Sequence, residues 1–232
     1  MRFLFYYDIL ISFIGGFMLY DELGNCFNYN EKQFAYESRT ADIYQINSEL
    51  LLKIIFSQFS LDLMNPEIFN IIQMLRNKNF CKIDKLLYDY ERQFKAYTMK
   101  YYDSDIEDIL DIPIEYTLES FNSIQQMGKK LTERNIYMRD LFFNNVILNQ
   151  NGIIVIDFDN YEYSEFFAKN NKQRINETFK DLYYLQLMDY NLSIEVANEL
   201  ATRVFNEEST IDTVYPILKK YKKPIDYFRK FM

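Results

Sequence analysis

Three polar side chains in one stretch of the chain have types and a spacing suited to chemistry. Within NIYMRDLFFNNVILNQNGIIVIDFDNY, residues 135–161, Asp140 is followed five residues later by Asn145. A run of β-branched residues, Ile153 to Ile156, then delivers Asp157 twelve residues further on. A carboxylate on a loop can orient a hydroxyl and accept its proton. An amide oxygen and a second carboxylate at a strand end can ligate magnesium. Such a trio suits the handling of a metal-bound polyphosphate.

Composition removes the main rival chemistries. The 232-residue chain has no histidine and two cysteines, Cys26 and Cys81, neither set in a metal-ligand pattern. Zinc sites of the His/Cys kind and Ser-His or Cys-His catalysis are therefore excluded in this chain. Any general base is a carboxylate, a lysine, a tyrosine or a metal-bound water. Two widely separated cysteines suit a reducing compartment, so the expected localisation is cytoplasmic. The net charge of −8 argues against nucleic acid as a partner, because phosphate neutralisation needs clustered Lys and Arg in excess. The one basic cluster, Lys219, Lys220, Lys222, Lys223, Arg229 and Lys230, alternates with apolar residues and reads as the solvated face of a last helix.

The elements that must position the trio follow from patterning. Residues 1–20 are apolar to nearly the length of a membrane span. Asp8 would cost about 2.5–3.5 kcal/mol near the centre of a spanning helix, so a buried N-terminal element is preferred to membrane contact. GFMLYDELGNCFNY predicts two short strands around Glu22 to Asn25. QFAYES, ADIYQIN and LLLKIIF then form three strand-like runs separated by short polar turns, the pattern of an antiparallel meander. The third carries one lysine, Lys53, in an otherwise apolar run. It is either a solvent-side residue or a charge held inward for an anion.

MNPEIFNIIQMLRN predicts an amphipathic helix, with Asn65 as N-cap, Pro66 at the first helical position and Ile68, Ile71, Ile72 and Leu75 on one face. Glu67, in its first turn, either complements the helix dipole or pairs with Lys53. Two more strand-like runs, CKIDKLLYDYE and RQFKAYTMKYYD, complete a β-rich lobe over residues 32–102. An apolar extension, residues 1–31, precedes it. A mostly helical lobe follows at 103–232, with helical periodicity over 115–134, in ETFKDLYYLQLM and in SIEVANELATRVF.

This order of a β-lobe with Lys53, a helix with Glu67, a long helix, MRDLFFNN and IDFDN resembles the protein-kinase-like superfamily, including the aminoglycoside and choline phosphotransferase branch. The resemblance spans residues 32 to about 205 in element order and implies an α+β, bilobal protein-kinase-like fold. It makes Asp140 the catalytic-loop base, Asn145 and Asp157 the Mg²⁺ ligands, Lys53 the phosphate-contacting lysine and Glu67 its helix partner. It puts Ser38, Arg39 and Thr40 in the phosphate-covering loop, and Met99, Lys100 and Tyr101 in the hinge against which adenine lies. The implied cofactors are ATP and Mg²⁺, and the implied partners are a nucleotide and a hydroxyl acceptor, small molecule or protein.

The departures are specific. Met138 replaces the motif histidine, SRTAD has no glycine, Phe142 stands two residues after the base where serine/threonine kinases usually have lysine, Asn160 follows IDFD, and no A-P-E motif is present. Two readings of different class follow: an ATP- and Mg²⁺-dependent phosphotransferase, or a pseudokinase serving as a nucleotide-binding or scaffold module.

Overall fold

In the computed structural model the described residues are 18–29, 34–37, 41–55, 65–103, 112–149, 152–188 and 192–206. The chain divides into two compact units, one of residues 1–74 and 81–102, the other of residues 75–80 and 103–232. Both are mixed in secondary structure, so the chain is α+β. Residues 1–17, the Ser38–Thr40 loop, most of the acidic stretch after Asp103 and the basic C-terminus lie outside the described residues, and so do the expectations attached to them.

The first unit is built on one antiparallel sheet of seven strands: β1 (Leu19–Tyr20), β2 (Cys26–Phe27), β3 (Phe34–Glu37), β4 (Ala41–Gln45), β5 (Leu50–Ile55), β6 (Ile83–Tyr88) and β7 (Phe94–Lys100). Their order is β2-β1-β6-β7-β5-β4-β3. The meander of β3, β4 and β5 is as the alternation predicts. The Glu22–Asn25 turn also forms as read: Asp21 Oδ1 accepts the Leu23 and Asn25 N–H groups at 3.0 and 2.8 Å. Its two strands join the same sheet, because Tyr20 pairs with Tyr88 at the edge of β6. The sheet therefore begins ahead of residue 32, where patterning alone places its boundary.

Period-2 alternation sorts β5 onto two faces. Leu52 and Ile54 enter an apolar cluster with Leu19, Leu87 and Ala96. Lys53 points to the opposite face, where it is paired in register with Tyr97. That face is covered by helix α1 (Pro66–Met74), which buries Ile68, Phe69 and Ile72. Phe69 packs on Tyr97 with ring centroids 5.1 Å apart. Asn65 caps the helix as predicted, its Oδ1 accepting the Glu67 N–H at 2.9 Å.

The second unit carries helices α2 (Ile114–Thr132), α3 (Asn171–Met188) and α4 (Ile194–Phe205). It also holds two small antiparallel pairs. One is β8 (Ile136–Tyr137) with β11 (Glu162–Tyr163), and the other is β9 (Val146–Asn149) with β10 (Gly152–Val155). Leu118, Phe121, Ile124 and Leu131 of α2 are buried as their periodicity predicts. Two glycines answer close approaches. A Cβ on Gly128 would stand 2.4 Å from Ile175 Cδ1, and one on Gly152, at φ +116°, would stand 2.2 Å from Ser120 Oγ. Gly128 thus lets α2 and α3 pack closely, and Gly152 opens β10 against α2.

The turn after α1 belongs to this second unit. Asn77 Nδ2 donates to the Ser123 carbonyl at 2.8 Å, and Asn79 Nδ2 donates to the Ile153 carbonyl at 2.7 Å. The Val155 N–H returns to the Asn79 carbonyl at 2.8 Å, and Phe80 bridges Val155 in parallel. Those bonds satisfy one edge of β10, the strand that leads to Asp157.

Candidate functional site

Asp140 lies in the loop after β8, half-buried, on a backbone held from two sides. Upstream, the Met138 N–H donates to Asn171 Oδ1 at 2.8 Å. The same amide's Nδ2 donates to the Ile136 carbonyl at 2.8 Å and to Thr132 Oγ1 at 3.1 Å. Asn171 is fully buried at the start of α3 and so anchors both residues that lead into the loop. Downstream, Thr178 Oγ1 donates to the Leu141 carbonyl at 2.8 Å.

Asn145 ties the loop to the strand end. Its Nδ2 donates to the Asp140 carbonyl at 2.8 Å, and its own carbonyl accepts the Ile156 N–H at 2.9 Å. One residue thus bonds to the backbone of the proposed base and to the residue before Asp157. With the amide nitrogen occupied in this way, Oδ1 is the atom left to act as a ligand.

Asp157 has φ +57°, the left-handed region that costs a side-chain-bearing residue and that aspartate tolerates better than most. The turn that follows is fixed by the Tyr161 N–H donating to the Phe158 carbonyl at 3.1 Å. Asn160, in this turn, donates its Nδ2 to Asp140 Oδ2. Phe158 and Tyr161 are buried, with ring centroids 5.9 Å apart.

The Tyr161 hydroxyl is buried and has no hydrogen-bond partner among the described residues. Burial first, then the negative charges of Asp157 and Asp140, hold it neutral well above the ordinary tyrosine range. Both carboxylates therefore act on the same phenol. Through Asn145 the loop that carries Asp140 is thus hydrogen-bonded to the strand end that leads to Asp157.

The donor set fits magnesium. Among the described residues no cluster of three or more His, Cys, Asp or Glu side chains is present. An amide oxygen with one carboxylate does not need such a cluster, because Mg²⁺ commonly takes one or two carboxylates and draws its other ligands from phosphates and water.

In the first unit, Lys53 is buried, at 4% exposure, with its Nζ 5.9 Å from the centroid of the Tyr97 ring. It is a charge held inward, not a solvent-side residue. Glu67 is exposed in the first turn of α1, on the side away from Phe69, and among the described residues it forms no ion pair with Lys53. Its carboxylate is placed to complement the helix dipole. Met99 is buried in β7, and Tyr101 follows that strand. The Lys100 N–H donates to the Lys82 carbonyl at 2.9 Å and the Tyr101 N–H to the Glu49 carbonyl at 2.8 Å, so these two hinge donors are already engaged.

Beside Asp140 runs a ladder that patterning did not reveal. The Arg174 guanidinium lies 4.8 Å from the centroid of the exposed Phe142 ring and donates to the Tyr137 hydroxyl at 3.0 Å. Tyr137 packs on Phe167 at 5.6 Å, and Phe167 on Phe166 at 5.1 Å. Phe166, at 75% exposure, ends the ladder in solvent. Asn160, Tyr161 and Asn171 are the other residues of the site whose roles were hidden. Asparagine recurs throughout the sequence, so no single one stands out. Neither the scan against protein-family models nor the search of curated proteins found a match for this chain.

Proposed function

We propose that the chain is an ATP- and Mg²⁺-dependent phosphotransferase with an alcohol acceptor. The observation that carries this reading is the double engagement of Asn145, whose amide holds the Asp140 carbonyl while its own carbonyl holds the strand end before Asp157. That arrangement ties Asp140, Asn145 and the backbone leading to Asp157 into one hydrogen-bonded frame, which supports the reading.

In this reading Asn145 Oδ1 and Asp157 would hold magnesium. Magnesium bound with ATP neutralises charge on the β- and γ-phosphates as the phosphoryl group moves. Asp140 orients the acceptor hydroxyl and takes its proton, which fixes the attacking oxygen in line with the leaving group. The ladder of Phe142, Arg174 and Tyr137 flanks the base. An acceptor there meets the Arg174 guanidinium, whose positive charge disfavours a polycation.

The test is thermal unfolding with ATP, with and without Mg²⁺, for the native chain and Asp157→Asn. Ligand at a hundredfold its dissociation constant adds about 2.7 kcal/mol, a rise of roughly 5–10 °C in a chain this size. The rise is expected only with Mg²⁺ and only in the native chain. Its absence at millimolar ATP would sink the proposal.

One observation favours a pseudokinase, namely that Glu67 is exposed and not paired with Lys53. That reading predicts a Mg²⁺-dependent rise with no ADP produced in the presence of any hydroxyl, water included.

A further inference from the structure

We infer that Asn160 is a positioning residue for Asp140: its side-chain amide holds one carboxylate oxygen so that the other is presented to the acceptor hydroxyl. The inference rests on the phosphotransferase reading for its role in turnover, and on geometry for the contact itself. Asn160 Nδ2 donates to Asp140 Oδ2. Asn145 Nδ2 fixes the backbone of the same aspartate through its carbonyl, at 2.8 Å. Backbone and side chain of the base are therefore each held by a separate amide, and Oδ1 remains for the acceptor.

The donor is itself rigidly mounted. It sits in the turn closed by the Tyr161 N–H and the Phe158 carbonyl at 3.1 Å, between two buried aromatic rings. That turn leads directly from Asp157. A single hydrogen bond thus makes the orientation of the base depend on the turn that carries the metal-ligand aspartate. A carboxylate without such a partner rotates about χ2 and presents either oxygen, or neither, to a substrate. As the acceptor oxygen bonds to the γ-phosphorus and the bond to the ADP oxygen breaks, the hydroxyl proton passes to Oδ1, while Oδ2 stays with the amide.

Residue 160 is also a place where the resembled family pattern gives no reason to expect an amide. The requirement at the position is a donor short enough to reach the loop from the turn. Asparagine supplies it without adding a charge beside Asp140, whereas an aspartate there would repel the base.

Two measurements on the full chain test this. The first needs no turnover: the side-chain ¹⁵NH₂ resonances of Asn160 are recorded in the native chain and in Asp140→Ala, with Asn176 as a distant reference. They are expected to move in Asp140→Ala while those of Asn176 stay in place. Unmoved Asn160 resonances would overturn the inference whether or not the chain is an enzyme. The second is Mg-ATP hydrolysis with water as the acceptor. Asn160→Ala is expected to lower kcat about 10- to 100-fold, the cost of misplacing a reacting group by an ångström or so, with KM for ATP changed by less than about twofold and the thermal midpoint kept.

Asn160→Ser, which restores a short donor, is expected to recover part of the rate, and Asn160→Asp to recover none. A kcat that is unchanged or raised in Asn160→Ala would overturn the positioning role, the raised value meaning that the amide blocks the base. A native chain that shows the resonance coupling yet hydrolyses no ATP would reduce the contact to a structural one. That result would remove the positioning role; the phosphotransferase reading falls separately, when Mg-ATP gives no rise in the thermal midpoint.

Discussion

Replacing Asn171 with leucine tests how the Asp140 loop is held. The amide is fully buried and serves three groups: the Met138 N–H at 2.8 Å, the Ile136 carbonyl at 2.8 Å and Thr132 Oγ1 at 3.1 Å. Leucine has the same branched skeleton with bulkier methyl ends, so the change removes hydrogen bonds without opening a cavity, and overpacking at this fully buried site adds to the loss. Thr132 Oγ1 keeps the Gly128 and Ala168 carbonyls within reach, each at 2.9 Å. The Met138 N–H and the Ile136 carbonyl lose a partner in residues that are themselves buried. A stranded buried group costs about 1–3 kcal/mol, so the pair should cost about 2–6 kcal/mol.

For a chain of this size that is a fall in the midpoint on the order of 10 °C. Urea unfolding followed by circular dichroism checks it, and the expected sign is a lower Cm at unchanged m. Asn171→Asp keeps an acceptor for Met138, cannot donate to Ile136 and buries a charge, so it should be at least as damaging. A loss below about 0.5 kcal/mol for Asn171→Leu, the range of ordinary surface changes, would refute the reasoning by showing that other groups or water serve the loop.

Further outcomes follow from the same structure. Gly152→Ala places a Cβ 2.2 Å from Ser120 Oγ at φ +116°, and should lose about 1–3 kcal/mol to overpacking and a similar amount to backbone strain. Adding Ser120→Ala relieves the clash but strands the buried Ile153 N–H that donates to Ser120 Oγ at 3.2 Å, so it should return less than the steric share, as urea midpoints of the single and double variants would reveal. Tyr161→Phe deletes a buried hydroxyl that has no partner among the described residues, so the midpoint at neutral pH should rise or hold.

The same variant carries a pH signature. Tyr161 titrates above its unfolded value, so its contribution is complete below about pH 10 and is lost above it, as the unfolded chain releases a proton that the folded chain keeps. Each pH unit there costs up to about 1.36 kcal/mol. Tyr161→Phe should therefore flatten the alkaline limb, with Tyr88 and Tyr102, also raised chiefly by burial, sustaining the remainder. Equal limbs in the two proteins would refute the assignment. Lys53→Met should leave the circular dichroism spectrum intact and abolish most of the Mg-ATP-dependent rise in midpoint; a full rise would remove Lys53 from the phosphate site.

What could be read from the sequence is what local chemistry decides. The Asn65 cap with Pro66 fixes the start of α1, and alternation over residues 34–55 sets the meander of β3 to β5, because each signal acts within a few residues. The stretch between Asp140 and Asp157 that spacing singled out forms a loop, a short 3₁₀ turn at Phe143–Asn145 and a hairpin, which leave it little freedom. What stayed hidden depends on distant pairing. The hairpin at residues 19–27 joins β6 across more than sixty residues of chain, and residues 77–80 leave the β-rich unit to bond with β10 and α2. Helix α3 begins at Asn171. Patterning places its start at Glu177, because Ile175 is the only apolar residue in the intervening NKQRIN. The Lys53–Glu67 pairing suggested by the family pattern fails because helical periodicity turns Phe69 toward Tyr97 and leaves Glu67 outside.

The absence of histidine gains a physical meaning from these contacts. Met138 is fully buried, and its backbone N–H is held by Asn171. The hydrogen bonding around Asp140 is done by three amides: Asn171 on the incoming strand, Asn145 on the Asp140 carbonyl and Asn160 on its carboxylate. Amides do not titrate, so this support is the same at pH 6 and pH 8, whereas an imidazole would change charge across that range. A phosphotransferase built this way should show a rate–pH profile with no inflection near about 6.5. An inflection there would mean that a group outside this hydrogen-bonded frame, on the substrate or elsewhere in the chain, governs the proton transfer.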